Sequence, residues 1–110
     1  MPTTYKVLGQ SCPSATTATS LYTVPASTST VVSTITVANL AGSAATFRIS
    51  VRPAGAVQTN AMYIAYDVTV GATDTTTLTL GLTLATTDVI TVYASTANLS
   101  FNAYGSEITA

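Results

Sequence analysis

Residues Leu21 to Val51 read L-Y-T-V-P-A-S-T-S-T-V-V-S-T-I-T-V-A-N-L-A-G-S-A-A-T-F-R-I-S-V. The way apolar and hydroxyl side chains alternate through this stretch decides the fold. Its last part is the clearest. Phe47, Ile49 and Val51 fall on one face, and Arg48, Ser50 and Arg52 on the other. A period of two marks a strand with one buried face. Upstream, Val24-Pro25 closes a strand from Leu21, because proline forces its predecessor into extended geometry and donates nothing to a ladder. Val31 to Asn39 forms the next strand. Parity groups Val31, Ile35 and Val37 against Val32, Thr34, Thr36 and Ala38. Ala41-Gly42-Ser43 turns the chain into Thr46–Val51.

The same grammar continues downstream. Met62 to Val70 predicts a strand with Ile64, Tyr66, Val68 and Val70 on one face and Tyr63, Ala65, Asp67 and Thr69 on the other. Thr75 to Leu84 sets four leucines (78, 80, 82 and 84) against Thr77, Thr79, Gly81 and Thr83. That alternation overrides leucine's helical bias, and Gly81 suggests a bulge or a close neighbouring backbone. Val89–Ala94 and Leu99–Tyr104 follow, with Gly105 expected to break the last strand. Pro53 to Ala61, the longest irregular piece after the N-terminal region, is expected to cross from one sheet to the other. Tyr5 to Leu8 adds a possible short strand. The prediction is an all-β, antiparallel β-sandwich, jelly-roll-like, with 7–8 strands. A repeated strand-turn-strand layout, Val24–Val32 and Val70–Leu78, suits paired Greek keys. Residues 1–20 read as an N-terminal arm and 21–110 as the sandwich.

At 110 residues the chain has the size of one domain. Only 6% of its residues are charged, against about a quarter in ordinary globular proteins. Thr and Ser stand where Lys and Glu would. Threonine suits a pleated surface and offers a hydroxyl without the desolvation cost of a charge. With a net charge of −1 there is little self-repulsion between copies. Such a surface is cheap for another protein to cover. Three cations (Lys6, Arg48, Arg52) are too few to track phosphates, so nucleic acid is not expected as a partner. No apolar run approaches the ~18–20 residues of a bilayer span, and Met1 to Gln10 does not read as a secretory signal.

Chemistry is sparse. With no His and one Cys (Cys12), neither the usual zinc sites nor a Cys-His nucleophile can be assembled. Cys12 reads as an inert small residue. The acids Asp67, Asp74, Asp88 and Glu107 lack the spacing of a calcium loop, and no phosphate or dinucleotide fingerprint is present. No catalytic, metal or cofactor residue is assigned, and no cofactor is expected. Asp67, mid-strand, is expected to pair with Arg48 or Arg52 across strands. Asp74 and Asp88 sit where turns use Asp for local backbone hydrogen bonds. Tyr63 and Tyr93 have outward parity, with Tyr104 close behind. Outward tyrosines suit interfaces because the ring buries area while the hydroxyl stays hydrogen-bonded. The candidate interface is therefore Arg48, Ser50, Arg52, Tyr63, Tyr93 and Tyr104. A carbohydrate patch is the other reading of the tyrosines.

Leu21-Tyr-Thr-Val-Pro-Ala, followed by the Thr/Val-rich strand ending at Ala38-Asn39, resembles the opening of small β-sandwich virion structural proteins of tailed bacteriophages, those of cyanobacterial phages in particular. Leu99-Ser-Phe-Asn-Ala-Tyr-Gly-Ser-Glu-Ile resembles their close, a strand running into G-x-E-I. The resemblance spans Leu21 to Ile108. It implies a non-enzymatic virion component, expected as a homotrimeric capsid cement (decoration) protein at capsomer junctions. Its partner would be the major capsid protein or another virion protein, with the N-terminal arm or C-terminal tail clamping neighbours. A neck, collar, baseplate or tail-fibre position and a carbohydrate-binding receptor domain are the alternatives. No membrane partner is expected.

Overall fold

The computed structural model describes residues 2–109. Eight strands run in order: β1 (Thr3–Ser11), β2 (Thr19–Thr23), β3 (Thr28–Asn39), β4 (Ala45–Arg52), β5 (Tyr63–Val70), β6 (Thr75–Leu84), β7 (Val89–Ala94) and β8 (Leu99–Thr109). They form two four-stranded antiparallel sheets, ordered β1-β8-β3-β6 and β2-β7-β4-β5. The shortest dimension, 19 Å, is that of two sheets about 10 Å apart with their outer side chains. The all-β antiparallel sandwich read from the alternation is what forms.

The core lies between the sheets. Val32, Ile35 and Val37 of β3, with Leu99, Phe101 and Ala103 of β8, face Phe47 and Ile49 of β4 and Ile90, Val92 and Ala94 of β7, all fully buried. Phe47 meets Phe101 edge-on at 6.0 Å, a favoured aromatic geometry. Buried Asn39 ties two turns together. Its Nδ2 donates to the carbonyls of Ser43, Val70 and Gly71, and its Oδ1 accepts from the Ala41 N–H.

Two bulges correct the expected parity. In β3, Val32 rather than Val31 joins Ile35 and Val37 in the core. Val32 pairs Gly105 of β8 and Thr34 pairs Tyr104, leaving Ser33 as an extra residue. One inserted residue exchanges the faces of a strand. Gly105 is required there, since a Cβ would collide with the Val31 carbonyl oxygen. It does not break β8, which runs on to Thr109. On the β6 side the register shift falls at Leu80-Gly81, so the bulge suggested by Gly81 is present.

The second bulge is in β5. Phe47 pairs Val68 and Ile49 pairs Ala65, so Tyr66 and Asp67 together oppose Arg48. Asp67 takes φ 50, a left-handed conformation that Asp tolerates better than most residues. Ala65, Val68 and Val70 consequently face the core, and Tyr66 turns outward, 55% exposed.

The segment after β4 does not cross between sheets. It joins β4 to β5 within one sheet through two 3-10 turns, Pro53–Gly55 and Asn60–Met62. The N-terminal region also differs from a plain arm. Thr3–Ser11 is the edge strand β1 along β8, and the expected boundary at residue 20 falls inside β2. Met1 and Ala110 lie outside the described residues.

A partly buried polar network links the sheets at one end. The Tyr22 hydroxyl donates to Glu107 Oε2 at 2.6 Å and lies 2.8 Å from Thr30 Oγ1, while Lys6 Nζ reaches Glu107 Oε1 at 3.3 Å. Burial, reinforced by the bond to Glu107, pushes the Tyr22 phenol up to about 12. The bond from Tyr22, with help from Lys6, holds the Glu107 carboxyl below its ordinary value, against the opposing effect of burial.

Candidate functional site

The outer face of the β2-β7-β4-β5 sheet carries the most organised set of polar and aromatic side chains. Arg48 is placed there by the strict alternation of β4, and Tyr93 of β7 is its direct cross-strand partner. The β5 bulge adds Tyr66 and Asp67 opposite Arg48. Arg48 Nε donates to Asp67 Oδ1 at 2.6 Å and Nη2 donates to Oδ2 at 3.3 Å, the two-point geometry that fits a guanidinium to a carboxylate. The guanidinium carbon lies 4.2 Å from the Tyr66 ring centroid and 4.5 Å from that of Tyr93, within cation–π range of both. The Asp67 carboxyl is held below its usual value chiefly by the Arg48 hydrogen bond, and Arg48 is held more firmly protonated by the same bond.

Beside this clamp, Tyr63 meets Tyr66 edge-on, with centroids 4.9 Å apart and planes at 82°. The two rings and Asn60 line a concavity of about 390 Å³. Asn60 is delivered by the second 3-10 turn. Thus the irregular β4–β5 connection builds one wall of the site.

Of the six residues proposed from sequence, Arg48, Tyr63 and Tyr93 come together here. Ser50 and Arg52 share the outward parity but are taken up by the same connection. Ser50, 2% exposed, is hydrogen-bonded to Gln58. Arg52 donates to the carbonyls of Ala56 (2.7 Å) and Gly55 (2.9 Å). Neither is a free contact residue. Tyr104 lies on the other sheet, paired with Val7 and Thr34. Tyr66 and Asn60 are not among the six. The only signal for Tyr66 was Asp67 itself, a poor strand former at mid-strand.

The remaining charges are also engaged. Asp88 accepts from the N–H groups of Ala54 and Ala85, and Asp74 Oδ1 accepts from the Thr75 N–H. With Lys6–Glu107, Arg48–Asp67 and Arg52, all seven charged side chains find partners within the subunit. Among the described residues, no three His, Cys, Asp or Glu side chains gather into a metal-binding group. Cys12 is exposed, with its Sγ 3.4 Å from the Ala97 carbonyl oxygen.

On the open side of the sandwich, between the edge strands β5 and β6, runs a groove of about 620 Å³ lined mainly by apolar side chains, including Val51, Met62, Ile64 and Leu82. Comparison with known proteins finds no matching family model, curated protein or solved structure.

Proposed function

We propose that this chain is a non-enzymatic structural subunit of a tailed-phage particle, a cement protein seated as a homotrimer at capsomer junctions against the major capsid protein. The observation that carries the reading is the internal satisfaction of all seven charged side chains. A surface with few charged side chains, each already partnered, pays less desolvation when another protein covers it than one that carries unpartnered charges. It leaves hydroxyls, such as the exposed row Thr75, Thr77, Thr79 and Thr83 of β6, to hydrogen-bond across an interface.

The phage assignment rests on the resemblance of Leu21–Asn39 and Leu99–Ile108 to small virion sandwiches. The strand order supports reading the sandwich as a jelly roll, two Greek keys of four strands folded face to face. Fold alone hosts many functions, so the charge pattern bears more weight than the topology. The apolar groove between β5 and β6 offers area for the shell contact. Many weak copies of such a contact, arrayed on a shell, give strong net binding.

Cryo-EM of purified particles containing the chain tests the proposal. The expected result is density for the 45 × 28 × 19 Å sandwich at the junctions between capsomers. Density confined to the neck, baseplate or fibres would move the subunit elsewhere in the particle. Absence from the particle would overturn the proposal.

A further inference from the structure

We infer that the corner built by Asn60, Tyr63 and Tyr66 is a binding site for a neutral carbohydrate. The inference stands apart from the subunit's place in a particle, because it rests only on the outer face of one sheet.

Three observations support it. First, the corner is built at a conformational cost. Strict alternation in β5 would place Tyr66 and Asp67 on opposite faces. The bulge, with Asp67 at φ 50, brings both to the outer face. Five other non-glycine residues, in turns, share the left-handed backbone, so the weight rests on the bulge, a device that re-aims side chains next to sites. Second, the aromatic wall is held in place. Tyr66 is fixed by Arg48 at 4.2 Å from its centroid and by Tyr63 at 4.9 Å and 82°, yet it remains 55% exposed. Third, the two rings and Asn60 line an open, shallow concavity of about 390 Å³, with the aromatic lining and few placed polar groups that small-molecule sites combine.

The chemistry of the lining selects the ligand class. Two rings at a right angle offer apolar surface for the C–H face of a pyranose. The Asn60 amide supplies both a donor and an acceptor, and each phenol hydroxyl does the same. Asp67, with its side chain 47% exposed, keeps acceptor lone pairs beyond the two that Arg48 uses. A sugar presents this combination of apolar faces and a rim of hydroxyls. An anionic ligand finds no free counter-charge, because Arg48 is committed to Asp67 at its edge and to tyrosine rings beside it. A wholly apolar ligand would strip water from Asn60 and the hydroxyls without replacing their hydrogen bonds.

The test is a ¹H–¹⁵N titration of the full chain with cellotriose, maltotriose and N,N′,N″-triacetylchitotriose, each to ~20 mM so that millimolar dissociation constants are reached, with trigalacturonate as the acidic comparator. The expected result is saturable shifts at Asn60, Tyr63, Tyr66 and Asp67 with at least one neutral sugar, and weaker binding of the acidic one. Tyr66→Ala and Tyr63→Ala should each weaken that binding about tenfold, as expected for loss of an aromatic contact. Asn60→Ala, an exposed position outside the core, provides a third variant, and the dispersion of each spectrum reports folding. No saturable shift with any neutral sugar, tighter binding of trigalacturonate, or unchanged binding in folded variants would overturn the assignment.

Discussion

Lys6–Glu107 and Arg48–Asp67 are both ion pairs between neighbouring strands, on opposite sheets, yet their surroundings differ. Glu107 is mostly buried, with its side chain 14% exposed, and it is bound to Tyr22 of the facing sheet. Lys6, 45% exposed, keeps its access to water, so the dry part of this network is Glu107 with Tyr22 and Thr30. Arg48–Asp67 lies on an outer face, with Asp67 47% exposed, and its neighbours are tyrosine rings rather than the core. Exposed pairs contribute little to stability. The first pair joins two sheets. The second positions a surface.

The largest expected effect comes from the backbone beside the Glu107–Tyr22 network. Gly105 is the β8 partner of both Lys6 and Val32. Gly105→Ala forces backbone away from the Val31 carbonyl, and a loss of about 3 kcal/mol is expected, the upper end for overpacking. Denaturant unfolding would read it, and an unchanged midpoint would refute the reading of this bulge.

Next is Glu107→Gln, expected to cost about 2 kcal/mol, the range for a hydrogen bond to a charged group. The Glu107 carboxyl is depressed in the folded state. Its contribution is therefore present above the ordinary value of 4.5 and is lost as pH falls through the lower folded value. The acid limb of the stability–pH curve should flatten in the variant, though only in part, since Asp67 titrates with the same sign.

Tyr22 tests the same network from the alkaline side. Its phenol rises from 10.0 to about 12 on folding, so its contribution is present below pH 10 and is lost as pH rises toward 12. That loss amounts to at most about 3 kcal/mol. Tyr22→Phe should cost about 1 kcal/mol at neutral pH, the worth of a typical hydrogen bond, and should abolish most of the alkaline loss.

The smallest effect belongs to the exposed pair. Asp67→Asn keeps a residue tolerant of φ 50 and removes the charge. The melting temperature should move by no more than a few degrees. The carbohydrate titration, in contrast, should weaken as Arg48 loses its clamp. A melting loss as large as that of Glu107→Gln would erase the contrast between the two pairs.

The strands are legible in the sequence because alternation of Thr with Leu, Ile, Val and Phe directly reflects a half-buried pleat. The bulges at Ser33 and Asp67 are not, because one inserted residue changes no composition and merely exchanges faces after it. This is why parity alone puts Val32 and Tyr66 on the wrong sides, while it places Arg48 and Tyr93, on strands β4 and β7 with unbroken mutual register, on the outer face they occupy. The fate of Ser50 and Arg52 is not local at all. Their parity is outward as expected, but the segment after β4 folds back to bind them through Gln58, Gly55 and Ala56. No periodicity encodes that return. Asn60 enters the site by the same non-local route.

The measurement that bears most directly on the proposed role is binding of the purified chain to shells assembled from the major capsid protein proposed as its partner, at ~50 mM and ~500 mM salt, conditions that change the screening of exposed charges several-fold. Because four of the seven charged side chains are in ion pairs and the other three are hydrogen-bonded to neutral groups of the subunit, binding should be saturable and its affinity should change by less than about twofold between the two conditions. No binding, or a loss of about tenfold at high salt, would contradict it.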